Sequence, residues 1–195
     1  MPIATTLDAT VPVIRLTGEI EMPVAYALLD EIKLLHDYYQ FRTIDLHLDS
    51  PGGSADALYY LAHALSPWRK GEGRVLRTFG MNEVASAAAM LLSLGTLGHR
   101  TASKRSRLLY HSVRSVQHQN TSQNVAQLRV VKRRLERWDH WFVDLLTEHT
   151  LRCADGDSVL YRRKISRLMR QEKFISAEQA VELKLIDRVS EAGAL

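Results

Sequence analysis

Cysteine is nearly absent: Cys153 stands alone among 195 residues, so no disulfide can form within the chain. A fold without disulfides suits a reducing compartment. Long apolar runs are missing too. The most apolar stretch, Val84 to Leu97, is rich in Ala and Ser and too short to cross a bilayer, so it reads as a buried helix. The first eleven residues carry neither a basic segment nor an apolar one, so no secretory leader is expected and the cytoplasm is the default location. No internal repeat or low-complexity tract occurs. His36, His63, His118, His140 and His149 do not pair with Cys153 or carboxylates at metal-ligand spacing, so no zinc site is expected, and no cofactor motif is evident.

What is present is ordinary soluble-protein material, with 46% hydrophobic and 25% charged residues. A chain of this length can bury a core as one domain. The net charge is +4, with basic clusters at Arg129 to Arg137 and Arg162 to Arg170. Such clusters can attract nucleic acid. At so mild a charge, solvated helix faces are the simpler account, and no nucleic-acid partner is expected.

Strand and helix signals alternate through the first two thirds. Val13 to Leu16 reads as a strand ending before Gly18, and Pro23 to Tyr38 as a helix with Val24, Leu28, Ile32 and Leu35 on one face. Ile44, Leu46 and Leu48 alternate with Asp45, His47 and Asp49 at the strand period, before Ser50-Pro51-Gly52-Gly53 breaks the chain. Ala55 to Leu65 is a helix. Val75 to Phe79 is a strand, Gly80 to Glu83 a turn, Val84 to Ser93 a helix and Leu108 to His111 a strand. This order predicts an α/β fold with a largely parallel sheet.

From Thr121 to Thr147 the residues Val125, Leu128, Val131, Leu135, Trp138, Phe142 and Leu145 form one apolar stripe. A helix of that length should project and meet a partner. A polar loop at Ala154 to Ser158 and a basic helix to Met169 follow. Ser176 to Gln179 matches a capping box, and Ile186 to Val189 closes the chain as a strand.

Three places can carry chemistry. Ser86 comes just after the turn that follows a buried strand, at the start of a small-residue helix where backbone N–H groups converge; a helix-capping role is the bland alternative. His111 ends the Leu108-Leu109-Tyr110 strand, where sites gather in α/β sheets, or is a locally satisfied histidine. Gly52-Gly53 allows close backbone approach, in an oxyanion site or in a plain turn. His36, His63, His118, His140 and His149 read as surface residues.

The order of five segments resembles the Clp protease proteolytic subunit, within the ClpP/crotonase superfamily. They are Ile14-Arg15-Leu16-Thr17-Gly18-Glu19-Ile20, Leu48-Asp49-Ser50-Pro51-Gly52-Gly53-Ser54, Val84-Ala85-Ser86-Ala87-Ala88, Leu109-Tyr110-His111 and Glu172-Lys173-Phe174-Ile175-Ser176-Ala177. The resemblance implies a ClpP/crotonase-like fold of repeated β-β-α units. One domain would span 1–195, with a head at about 13–115 and 170–190 and a projecting handle helix at about 120–149. It also implies a serine endopeptidase acting on unfolded polypeptides in a chamber of stacked homo-oligomeric rings. Ser86 would be the nucleophile, His111 the base and Glu172, standing where the family usually has Asp, the acid. Gly53 and Ala87 would present backbone N–H groups to the oxyanion. An AAA+ unfoldase is an implied partner, though little sequence precedes the first strand. The family's usual Gly two residues after the nucleophile is Ala88 here, and its Gln-Pro after the histidine is Ser112-Val113. Competing readings are a non-catalytic ring subunit, a crotonase-like acyl-CoA enzyme and a nucleic-acid binder.

Overall fold

The computed structural model describes residues 2–7, 10–114, 124–151 and 157–191. Cys153, His118 and the start of the long helix at Thr121 lie outside them. The chain gathers into two compact units, Met1–Tyr110 with Phe174–Leu195, and His111–Lys173.

The first unit is built on one eight-stranded sheet. Its path runs β1 (Ile3–Thr6), β2 (Val13–Ile20), β3 (Thr43–Gly53), β4 (Val75–Ala85), β5 (Arg100–Ser103) and β8 (Arg188–Ser190). β6 (Arg107–Leu109) pairs with β4 and with β7 (Ile175–Ser176). β1 joins β2, and β7 joins β6, antiparallel; the other pairs are parallel. The α/β class and largely parallel sheet are therefore as the sequence pattern predicts. Alternation decides the faces: Ile44, Leu46 and Leu48 are fully buried. The helices α1 (Met22–Lys33), continued as a π-turn over Leu34–Tyr38, α2 (Ala55–Ala64), α3 (Ser66–Lys70), α4 (Ala87–Ser93) and α7 (Ala177–Glu182) complete this unit. α4 lies on β3 and β4, with every residue buried. The capping box at Ser176 and Gln179 forms as the sequence motif predicts.

Several boundaries differ from the sequence expectation, those near glycines for one physical reason. Glycines there bend strands rather than end them. β2 runs through Gly18, with a register shift between Thr17 and Glu19. β3 continues through Ser50-Pro51-Gly52-Gly53, which stays paired with β2 to Ile20. β4 does not turn at Gly80 to Glu83: Ser106 donates to the Gly80 and Met81 carbonyls, and Glu83 to Ala85 pair onward with β6. As a result α4 begins at Ala87, not Val84. β6 ends at Leu109, short of His111, and the closing strand is Arg188–Ser190.

Two groups of this unit, His47 on β3 and Asp187 just before β8, titrate away from their ordinary values. Burial pushes the His47 imidazole below its usual range; Asp45 opposes that shift, and Arg15 and Arg77 reinforce it. Burial alone would raise the Asp187 carboxyl, but Arg100 outweighs it and holds the group low. Arg100 reaches Asp187 from its backbone N–H (2.9 Å), Nε (3.0 Å) and Nη2 (2.7 Å), joining β5 to the chain before β8.

The second unit contains α5 (Val125–Leu151) and α6 (Ser158–Gln171), which pack on each other. α5 has 27 residues, about 40 Å at about 1.5 Å per residue. Its C-terminal part buries Phe142, Val143 and Leu146. His149 is buried there too, at 2% exposure, which corrects its reading as a surface residue: one helical turn after Leu146 it shares the inward face. Val125, Leu128 and Val130 stay exposed. Asp157 caps α6 by accepting from the Val159 and Leu160 N–H groups. No described helix is long and apolar enough to cross a membrane.

Candidate active site

Ser86 sits at the junction of β4 and α4 with φ +55° and ψ −124°. L-residues avoid this region, and holding one there costs about 1–3 kcal/mol. Its side chain makes no capping hydrogen bond to α4. That disposes of the helix-cap alternative, because a cap needs extended backbone and an accepted N–H. The Ser86 N–H donates instead to Leu109 O (2.8 Å), tying the turn to the end of β6. Ser86 is half-buried, and Ala87 opens the helix directly behind it.

The glycine segment closes on this turn. A Cβ on Gly52 would lie 2.5 Å from Ser86 Cβ, 2.6 Å from Ala85 O and 2.9 Å from Ala87 N. Gly52 also has φ +99°, so only glycine fits. A Cβ on Gly53 would strike the Ile20 backbone at 2.5 Å. Gly53, expected to present its N–H to the oxyanion, lies against Ile20, while its neighbour Gly52 lies against the Ser86 turn. The doubled glycine was visible in the sequence; which of the two faces Ser86 was not. Ser50 anchors the segment, donating to Gly18 O (2.6 Å) and accepting from the Gly52 N–H (3.1 Å).

In the second unit, His111 begins a short irregular segment. Its Nδ1 lies 2.6 Å from Ser112 O, so Nδ1–H donates to that carbonyl and Nε2 is left as the basic nitrogen. The Ser112 N–H donates to Met169 O (3.2 Å), and the Val113 N–H to Asp139 Oδ1 (2.7 Å). Glu172 follows α6 in the left-handed conformation, φ +49° and ψ +39°. Its Oε2 accepts from Arg114 Nη2 at 2.7 Å, in an exposed pair. Each of His111 and Glu172 thus has a partner other than the one a triad would give it. Asp139 carries no signal in the sequence, since a lone carboxylate on a charged helix looks like surface.

Comparison with known proteins bears on these features together. A family model described as Clp protease matches residues 6–193, nearly the full chain. The chain belongs to the Clp protease family. Curated relatives agree. ATP-dependent Clp protease proteolytic subunit 1 of Thermobifida fusca is 30% identical over 76% of this chain and 60% of its own length. Subunit 1 of Corynebacterium diphtheriae is 28% identical over 91% of this chain and 78% of its own. Subunit 4 of Rhodococcus jostii is 29% identical over 90% and 82%. The ClpP-like fold and the long α5 are those expected of the Clp protease family.

Proposed function

We propose that this chain is a serine peptidase subunit that hydrolyses polypeptides inside an oligomeric chamber, with Ser86 as nucleophile. One observation carries the reading: Ser86 holds a backbone that costs free energy, and its hydroxyl has no capping task to justify that cost. The relatives' printed names, proteolytic subunits of an ATP-dependent Clp protease, point the same way.

In this mechanism His111 Nε2 takes the proton of Ser86 Oγ as the oxygen attacks the peptide carbonyl. The tetrahedral oxyanion is met by the N–H groups of Gly53 and Ala87. The imidazolium then protonates the leaving amine, and water hydrolyses the acyl ester by the reverse relay. Chain order supports pairing serine with histidine: the Ser86 N–H bonds Leu109 O, and His111 follows Leu109 by two residues. Glu172 is the proposed acid, and it must exchange Arg114 for the imidazole to serve. The exposed Val125, Leu128 and Val130 on α5 are the proposed contact with another copy in a stacked-ring assembly, which an AAA+ unfoldase would feed.

A second reading, a non-catalytic ring subunit, is favoured by the Arg114–Glu172 pair. A fluorophosphonate probe separates the two. The peptidase reading expects covalent labelling that vanishes in Ser86→Ala and falls at least about a hundredfold in His111→Ala. A folded protein that never takes the label would leave only the structural subunit.

A further inference from the structure

We propose that Asp139 on α5 is a positioning residue for His111, acting through the Val113 N–H. Residues 111–114 belong to no strand or helix, so the usual ladder that aims a histidine is missing. In its place, among the described residues, are three bonds to other segments: Ser112 N–H to Met169 O, Val113 N–H to Asp139 Oδ1, and Arg114 to Glu172. The last is an exposed ion pair, which solvent weakens. The first, at 3.2 Å, is long. The Asp139 bond is short at 2.7 Å, charge-assisted and half-buried, so it is the strongest of the three.

Its place matters because His111 is aimed by its own backbone. The imidazole Nδ1–H donates to the carbonyl of Ser112, and that carbonyl belongs to the same peptide unit as the Val113 N–H. A peptide unit is planar, so fixing its N–H fixes the direction of its C=O. Asp139 therefore holds the plane that holds the ring. Removing the carboxylate frees the plane to rotate, and the imidazole loses its fixed acceptor and tautomer. The same bond makes α5, the helix proposed to meet another copy, a direct support of the histidine segment.

The test uses the full chain and three readouts: hydrogen exchange of a peptide spanning 111–114, the imidazole ¹⁵N shifts of His111, and the rate of Ser86 labelling by a fluorophosphonate. In Asp139→Leu the Val113 amide is expected to exchange at least about tenfold faster. The His111 nitrogens should lose the Nδ1–H signature, and labelling should slow by about ten- to a hundredfold. Asp139→Asn keeps an acceptor oxygen and should stay within about threefold of the parent on both rates. Asp144→Leu, on the same helix and outside the site, should change none of the three. Asp139→Ala removes the same acceptor with less bulk and replaces the leucine variant should that one not fold.

The activity arm rests on the peptidase reading; the other two do not. A parent that never labels Ser86 sinks that reading and leaves the clamp to be judged by exchange and ¹⁵N shifts. Unchanged exchange and imidazole signals in both the leucine and alanine variants overturn the clamp. So does an asparagine variant that loses as much as leucine, because the acceptor would then not be what matters.

Discussion

The two units of this chain differ in charge and in how far their ion pairs are buried. Residues 1–110 with 174–195 carry thirteen Lys and Arg against fifteen Asp and Glu, a net −2. Residues 111–173 carry thirteen against seven, a net +6 in about half the length. The first unit buries polar groups with tight partners: the Arg100 side chain is 3% exposed and grips Asp187 through two side-chain nitrogens. In the second, the ion pairs Arg162–Asp144, Lys132–Glu136 and Arg114–Glu172 all stand in solvent. The Arg100–Asp187 pair is held by burial, where an unpaired group is costly, whereas the exposed pairs of the second unit are ones that water can replace. Ser86, with its strained backbone, lies in the unit that can hold strain. His111 and Glu172 lie in the unit that can exchange partners.

That contrast can be broken experimentally. The largest effect is expected from Asp187→Ala, which strands a buried guanidinium and should cost about 3–5 kcal/mol of unfolding free energy in denaturant melts. A loss below about 1 kcal/mol would show that the first unit does not depend on its buried pair. Next comes Gly52→Ala, where the added methyl meets Ser86, Ala85 and Ala87 at a left-handed backbone. A stability loss of about 1–3 kcal/mol is expected, with loss of Ser86 labelling. Full labelling in this variant would mean the turn yields freely.

A smaller effect is expected from His47. Its folded pKa lies below the unfolded value of about 6.5, so the unfolded chain binds the extra proton first. Stability is therefore complete above that value and declines as pH falls below it toward the folded pKa. His47→Phe should flatten the decline in melts between about pH 7 and 5, and an unchanged slope would assign it elsewhere. The smallest effect belongs to Asp144→Ala, which removes the exposed partner of Arg162. A change within about 1 kcal/mol is expected, and a larger one would show that the second unit leans on its charges after all.

Legibility follows the same division. Period-two alternation in β3, the capping box at Ser176 and the long stripe of α5 were plain because each depends on residues near one another in sequence. Strand ends were misjudged wherever a glycine stood. At Gly18, Gly52 and Gly80 the local signal says turn, while pairing with a neighbouring strand keeps the chain extended. In the candidate site, Ser86 and the glycine pair were visible as residue types in a suggestive order. The contact of Gly52 with Ser86 and the bond from Val113 to Asp139 join segments 34 and 26 positions apart, and no local pattern announces them.

By itself the sequence determined the α/β class, the parallel sheet, the long amphipathic helix and a family resemblance, because alternation, helical periodicity and motif order are written in neighbouring residues. Only the tertiary structure decided that Ser86 would sit strained and uncapped, that Gly52 rather than Gly53 would press on it, and that Glu172 would hold Arg114. Those outcomes depend on which distant backbones come within a few ångströms, and on the pairings that burial makes too costly to leave unmade.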